Sequence, residues 1–174
     1  MNGTKGYVAE NLLTSTQKET SRSGLTTREQ KTTSTTESTT TNTASNTTAS
    51  ASASSVVSYA KQYLGCKYVY GGTSPSGFDC SGFVSYVINH CGNGWNYGRL
   101  TADGLRGVCT YVSPQEAKPG DLIFFQGTYN TSGASHVGIY VGNNMMIHCG
   151  DPIHYSNIST SYWQQHFMCF GRLP

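Results

Sequence analysis

The chain has 174 residues and a formal net charge of +2. Its Lys and Arg residues are scattered, whereas nucleic-acid binding needs clustered positive charge, so we expect no nucleic-acid partner. No apolar run approaches the roughly 18 residues needed to cross a membrane. The first residues also lack the basic and apolar segments of a signal peptide, so any export signal would lie upstream.

Composition divides the chain into three parts. Residues 1–13 contain a turn, a strand-like run and a closing apolar step. They resemble the last strand of a small bacterial wall-binding barrel, although an arbitrary strand-like fragment explains them equally well. Residues 14–55 are mostly Ser, Thr, Ala and Asn, which predicts a disordered linker because little apolar surface is available to offset chain entropy. Residues 56–174 are long enough to enclose one core.

Two helices are predicted at the start of this domain. Val56–Leu64 has apolar residues at i, i+1, i+4, i+7 and i+8, which is typical of an amphipathic helix. The glycines and proline of Tyr68–Gly77 then predict an extended loop. Asp79 can cap a second helix, which buries one apolar face and ends near Cys91. This assignment puts Cys80 at a helix N-terminus.

The rest of the domain predicts mainly strands and turns. A helical turn is expected at Ala102–Arg106, and a chain turn at Pro119–Asp121. Strands are indicated by short apolar or alternating runs, with a hairpin turn at Gly142–Asn144. The predicted strands are Leu122–Phe125, which we expect to be buried, His136–Val141, Met145–His148 and Phe167–Gly171.

Helices followed by a meandering antiparallel sheet indicate the α+β class. In this arrangement the helix that begins with Cys80 packs on the sheet that carries His136. A thiol is nucleophilic as its thiolate, which a helix N-terminus and a nearby imidazolium stabilise. His136 can then act as the base, and His148 can fix its ring orientation. Taken singly, each of these residues is better explained as part of a hydrogen-bonded or apolar core.

Several motifs in succession resemble the NlpC-type family of bacterial cell-wall peptidases, and the resemblance extends over essentially all of residues 56–174. It implies a papain-like fold, with N-terminal helices packed on a central antiparallel sheet. The motifs that carry it are Tyr68–Gly72, Phe78–Val84, Pro119–Phe125, Ser135–Gly142 and Met146–His148.

The resemblance assigns a role to each matching residue. Cys80 is the implied nucleophile, His136 the base and His148 the third member of a Cys-His-His triad. Tyr68 stands where the family has a tyrosine whose hydroxyl stabilises the oxyanion together with the Cys80 amide.

Two further residues beside the nucleophile match family positions that line the substrate groove. These are Asp79 and Ser81, and Asp79 has the alternative role of capping the helix. The mechanism implied by the family needs no cofactor and no metal, and the cysteine spacing lacks the Cys-x-x-Cys pairs typical of zinc sites.

The implied activity is hydrolysis of peptidoglycan stem peptides by a γ-D-glutamyl-diamino acid endopeptidase, through an acyl-enzyme. The implied protein is the C-terminal catalytic domain of a Gram-positive wall hydrolase, secreted or associated with the cell wall and taken as a monomer. Three alternatives remain: an amidase that cuts between muramic acid and L-alanine, an acyltransferase on the same fold, and a catalytically silent wall-binding module.

The remaining cysteines, histidines and tryptophans have no motif of their own. With Cys80 reserved for catalysis the other five cysteines are odd in number, so at least one is expected to stay free. Cys91 and Cys109 could pair in an oxidising compartment. His90, His154 and His166 are expected to be structural or at the surface, and Trp95 and Trp163 could line a groove, although core packing is the favoured expectation for them.

Overall fold

The computed structural model describes residues 44–174. The predicted barrel strand at residues 1–13 and most of the predicted linker, residues 14–43, lie outside the described residues. Within residues 44–174, every helix is too short or too polar to span a bilayer.

The described residues form four helices and eight strands. The helices are α1 (Ala44–Lys61), α2 (Cys80–His90), α3 (Ala102–Val108) and α4 (Ser161–His166). The strands are β1 (Thr73–Ser74), β2 (Gly77–Phe78), β3 (Thr110–Val112), β4 (Leu122–Phe125), β5 (His136–Gly142), β6 (Met145–Cys149), β7 (Ile153–Asn157) and β8 (Phe167–Arg172).

Helix α1 begins at Ala44 rather than at the predicted Val56, so the end of the predicted disordered linker is helical. Val56 and Ala60 are buried in the core and fix the second half of the helix. Once that half is formed, adding Ala- and Ser-rich turns at its N-terminus avoids the cost of a new helix nucleus. The linker prediction was wrong here because it counted apolar burial and ignored this extension.

Six strands form one antiparallel sheet in the order β3-β8-β4-β5-β6-β7. The helices followed by this sheet confirm the predicted α+β class. Strands β3 and β7 were not predicted, and both lie at the sheet edges. Edge strands need only one buried face and one partner, so their sequences carry weaker apolar signals.

The β5–β6 hairpin turns at Asn143 and Asn144, whose φ angles are +52° and +56°. A two-residue turn with positive φ at both positions matches the twist of the flanking strands, and Asn tolerates this conformation better than most residues. The turn predicted at this position is confirmed.

Helix α2 forms the main contact between the helical layer and the sheet. Its side chains Phe83, Val84, Val87 and Ile88 are fully buried in the same cluster as residues of β5 and β6. The helix therefore lies across these two strands, and its first residue reaches the end of β5 at which His136 lies.

Strand β4 is buried on both faces, as predicted. Leu122 and Phe124 join the core beneath α2, whereas Ile123 and Phe125 join a second cluster on the opposite face. This second cluster gives the far side of the sheet its own apolar support.

A buried carboxylate ties the turn before β4 to the last strand. Asp121 is 3% exposed and accepts bonds from Arg172 Nε at 2.7 Å and Arg172 Nη2 at 2.8 Å. It also accepts from the backbone N–H of Lys118 at 2.7 Å. The turn is confirmed at the predicted place, and this carboxylate links it to the end of β8.

We expect Asp121→Ala to lower the free energy of unfolding by about 2 kcal/mol, because the Lys118 amide and one side of the Arg172 guanidinium lose their partner. Urea denaturation monitored by circular dichroism measures this change. Glu116→Ala is the matched control, since Glu116 is exposed, and it should change stability by less than about 0.5 kcal/mol. Equal effects of the two substitutions would contradict the assignment.

Candidate active site

Cys80 is the first residue of α2 and is partly buried. Asp79 caps the helix, as one of its two predicted roles requires, by accepting a 2.6 Å bond from the backbone N–H of Gly82. A Cβ on Gly82 would collide with the carbonyl oxygen of Gly72. The glycine at position 82 therefore allows the preceding loop to lie directly against the start of the helix.

The Cys80 thiol lies beside the start of β5. Backbone N–H groups of Ser81 and Val137 interact with the sulfur and favour its thiolate, but burial and the charge of Asp79 raise the pKa of Cys80 above its usual value. Within the described residues, no hydrogen bond joins this thiol to the His136 ring. Loss of hydration and the charge of Asp79 thus outweigh the backbone N–H groups at the start of the helix.

His136 and His148 are joined directly. His136 Nε2 and His148 Nδ1 are 2.9 Å apart, and the two rings are nearly perpendicular, with centroids separated by 5.0 Å. Gly138 is opposite His148 in the β5–β6 register and lies between the two histidines on the sheet face. A side chain at position 138 would approach His148 Cβ within 3.2 Å, so the glycine leaves space for the diagonal contact.

The chain of polar contacts continues to a third strand. His148 Nε2 is 2.9 Å from Ser156 Oγ on β7. His154, which pairs with His148 in the β6–β7 register, also contacts the His148 ring, with centroids 4.7 Å apart. His154 was expected to be merely structural or at the surface, yet it borders this site. Ser156 carried no recognisable sequence signal because β7 was not predicted.

Burial keeps both histidine rings neutral near neutral pH. It lowers the pKa of His136 to about 4. It also lowers the pKa of His148 to about 3, with further depression by His136 and His154. The site therefore combines a protonated thiol with neutral imidazoles, which is the protonation state that a general base requires before it takes a proton.

Tyr68 lies in the loop that packs against the start of α2. Its backbone N–H points to Asp151 Oδ1 at 3.4 Å, and it forms a bridge with Phe78. The side chain is 40% exposed. Partial burial raises the pKa of the Tyr68 hydroxyl, and the charge of Cys80 raises it further, which is consistent with a hydroxyl near the thiol.

Asp79 and Ser81 share a cluster with Arg99, which the sequence analysis did not single out. Arg99 Nη2 lies 2.7 Å from Asp79 Oδ2, and Arg99 Nη1 donates to Ser81 Oγ at 3.0 Å. Ser81 Oγ in turn donates to Asp79 Oδ1 at 3.2 Å. Arg99 follows a Gly-rich stretch without periodicity, so only the folded chain brings it to the start of α2.

Trp163 has two kinds of neighbour. It packs beside Phe125 of the second apolar cluster, as a structural tryptophan would, but its ring also stacks on His136. Trp95 instead donates its indole N–H to the carbonyl of Pro174 at 2.9 Å. The two tryptophans therefore have unrelated roles.

All six cysteines lie in the described region and are free thiols, so the suggested pair Cys91–Cys109 is not formed. Cys91 caps the end of α2, with Sγ 3.5 Å from the Ile88 carbonyl, whereas Cys109 packs against Gly171 of β8. Within residues 44–174, no group of three or more His, Cys, Asp or Glu side chains is arranged to hold a metal ion.

Comparison with known proteins agrees with this geometry. The NlpC/P60 family model matches residues 65–172. The chain belongs to the NlpC/P60 family. This confirms the resemblance drawn from the motifs.

Relatives in the family match the same region. The chain is 39% identical over 127 residues to the bifunctional muramidase/DL-endopeptidase CwlT of Bacillus subtilis, covering 68% of this chain and 36% of that protein. It is 43% identical over 123 residues to the probable endopeptidase p60 of Listeria seeligeri, covering 68% and 22%. The chain thus spans about a third or less of the length of these curated relatives.

A solved structure shares the fold. The crystal structure of an NLP/P60 family protein similar to lipoprotein, from Staphylococcus aureus, superposes with a TM-score of 0.65 at 38% identity. The match covers 71% of this chain and 41% of the other. The papain-like α+β arrangement of this NlpC/P60 domain is therefore confirmed.

The two buried histidines should make stability depend on pH. Below about pH 6.5 the unfolded chain binds protons on these rings, whereas the folded rings stay neutral down to about pH 4 for His136 and about pH 3 for His148. The free energy of unfolding is therefore expected to fall as the pH is lowered from about 6.5 towards 4.

Urea denaturation at several pH values in this window measures the effect. The double variant His136→Gln, His148→Gln carries neutral side chains of similar polarity and should lose much of the pH dependence. If the free energy of unfolding of the double variant depends on pH as steeply as that of the unmodified protein, other groups cause the pH dependence.

Proposed function

We propose that this domain is a cysteine endopeptidase that hydrolyses peptidoglycan stem peptides between D-γ-glutamate and the following diamino acid. The observation that carries the proposal is the hydrogen-bonded series His136, His148 and Ser156, whose first member precedes Val137, the residue with its backbone N–H at the Cys80 sulfur. A buried series of polar groups costs free energy unless every member is paired. An oriented base next to a thiol is the chemical use that fits this arrangement best.

The tautomers of the series follow from the need for a base. With His136 Nε2 protonated and donating to His148 Nδ1, His148 must carry its own proton on Nε2 and donate it to Ser156 Oγ. His136 Nδ1 is then unprotonated and available for the proton of Cys80. Ser156 therefore helps to fix the tautomer of His148, and His148 helps to fix that of His136.

The reaction uses this nitrogen twice. His136 Nδ1 takes the proton from Cys80 Sγ as the sulfur attacks the amide carbonyl carbon and forms a tetrahedral oxyanion. The oxyanion collapses, the C–N bond breaks, and the imidazolium gives its proton to the departing amine. A water molecule then loses a proton to His136 and attacks the thioester. The C–S bond breaks, the acid product leaves, and the proton returns to the thiol.

The oxyanion needs donors close to Cys80. The backbone N–H of Cys80 at the start of α2 is one donor, and the Tyr68 hydroxyl is the other. Burial raises the pKa of Tyr68 and its interaction with Cys80 raises it further, which supports a position of the hydroxyl near the sulfur. A hydroxyl that stays protonated at neutral pH remains able to donate a hydrogen bond.

The groove beside the nucleophile supplies the substrate contacts. Both oxygens of Asp79 are already engaged, by Gly82, Ser81 and Arg99. We therefore assign Asp79 the task of holding Ser81 and Arg99 in position. Ser81 and the exposed part of the Arg99 guanidinium then meet polar atoms of the stem peptide.

The bond that we propose to be cleaved is inferred from the activities named for the relatives. CwlT is named a DL-endopeptidase and p60 a probable endopeptidase, which favours cleavage within the stem peptide over the amidase or acyltransferase alternatives. A silent wall-binding module is the weaker candidate, because binding alone has no use for a buried thiol and an oriented histidine pair. Action on the wall also implies a secreted or wall-associated location.

Cys80→Ala in the full chain should abolish release of soluble peptides from purified peptidoglycan under reducing conditions, because the proposed acyl-enzyme forms on the Cys80 sulfur. Mass spectrometry of the unmodified protein's products should show new termini at D-glutamate. Cys91→Ala is the matched control at the opposite end of the same helix and should release peptides at the normal rate.

Two results would overturn parts of this assignment. Equal release by the Cys80→Ala variant would exclude Cys80 as the nucleophile. Products that begin with a free L-alanine amino group, with no cut after D-glutamate, would replace the endopeptidase by the amidase.

Tyr68→Phe should lower kcat by about 100-fold with a smaller change in KM, because the oxyanion forms only after the substrate is bound. Steady-state hydrolysis of a soluble stem peptide measures both constants. Tyr70→Phe, at a neighbouring tyrosine that is 92% exposed, should leave kcat nearly unchanged. If both variants keep the normal kcat, the Tyr68 hydroxyl has no part in stabilising the oxyanion.

A further inference from the structure

Trp163 contacts both histidines of the site. Its ring lies nearly parallel to that of His136, with centroids 5.4 Å apart and planes inclined by 27°. The same ring meets His148 almost edge-on, at 5.1 Å and 80°. One indole therefore covers the hydrogen bond between the two imidazoles.

The tryptophan is held firmly although α4 is only one and a half turns long. Phe125 packs against the indole at 4.6 Å between centroids, from the second apolar cluster. At the end of α4 the backbone N–H of Gln126 donates to the His166 carbonyl at 2.8 Å, and His166 Nδ1 lies 2.8 Å from the Gln126 carbonyl. Within α4, Gln164 Nε2 donates to the carbonyl of Ile158, which precedes the helix, at 2.8 Å.

A hydrogen bond at one nitrogen does not fix an imidazole plane. The terminal χ2 torsion of histidine has a broad energy minimum, so His136 can tilt about its bond to His148 without losing that bond. A tilt changes the direction of Nδ1, the nitrogen that has to reach the Cys80 proton. Contact with the indole face of Trp163 restricts this freedom, because a large tilt of the His136 ring would lose the stacked contact or collide with the indole.

We propose that Trp163 is a positioning residue that fixes the plane of His136 and shields the His136–His148 hydrogen bond from water. This inference rests on the proposed role of His136 as the base. The sequence favoured core packing for Trp163 over a place lining a groove, and neither role predicts a specific effect on the histidines.

The groups around His136 make the effect measurable. His148 of β6 bonds to the ring, with His154 of β7 in contact with His148, and the Cys80 sulfur lies against the backbone N–H of the next residue, Val137. Removing the indole leaves these groups in place but admits water to the ring. Hydration favours the charged imidazolium, so the pKa of His136 should rise from about 4 towards the usual value.

The test compares Trp163→Leu and Trp163→Met with Trp163→Phe in the full chain. Histidine ring NMR signals, followed from low to neutral pH without substrate, report the titration of His136. The Leu and Met variants should raise the pKa of His136. They should also lower kcat by about tenfold or more with little change in KM, because His136 is poorly oriented while substrate binding is retained. Trp163→Phe keeps an aromatic face and should restore most of both properties.

Trp95→Leu is the control for losing a tryptophan elsewhere, and it should leave the His136 titration unchanged. Circular dichroism confirms folding, and Met fills the space if Leu prevents folding. A folded Leu or Met variant with the normal His136 titration and the normal pH profile of kcat would show that Trp163 contributes only to core packing. If the unmodified enzyme releases no peptides, the proposed function fails, but the NMR titration still decides whether Trp163 controls His136.

Discussion

The site depends on the apolar contact between α2 and the strands β5 and β6. Phe83, Val84 and Val87 are fully buried in one cluster with Val137, Ile139 and Ile147. This contact fixes how far α2 can slide or rotate over the sheet, so it also fixes the distance from the helix start to the first residue of β5. Cys80 is the first residue of α2, and His136 is the first residue of β5. These residues are far apart in the sequence, so packing of α2 on the sheet brings them to the same part of the fold.

On this apolar support the chain builds a series of polar contacts across three adjacent strands. His136, His148 and Ser156 lie on β5, β6 and β7, and each reaches its neighbour diagonally across the antiparallel register. Within the described region, no buried side-chain nitrogen or oxygen lacks a hydrogen-bond partner. The neutral histidines are therefore buried without leaving polar atoms that lack a hydrogen-bond partner. The same burial raises the pKa of Cys80, so the proton leaves the thiol only when a base accepts it.

Buried elements were predicted from the sequence more accurately than edge strands and loops. Strongly apolar β4 and the capped helix α2 were predicted with nearly correct bounds, because each signal is local and each element is buried where the pattern requires. Strand β7 escaped prediction because Ile153 is its one buried residue. Ser156 was missed with it. Arg99 was missed because its partners Asp79 and Ser81 are distant in sequence and its own segment lacks periodicity.

The sequence by itself determined the family and the class of fold, since these follow from local motifs and from the order of helices and strands, and the same motifs led us to propose Cys80, His136 and His148 as the reacting groups. It could not determine the protonation state of the site, because the pKa of a thiol or an imidazole depends on how much water the fold removes. Nor could it assign Trp163, which is distant from His136 in sequence and stacks on it only after α4 closes against the sheet. Tertiary structure decided these features because hydration and ring contacts are properties of the packed chain.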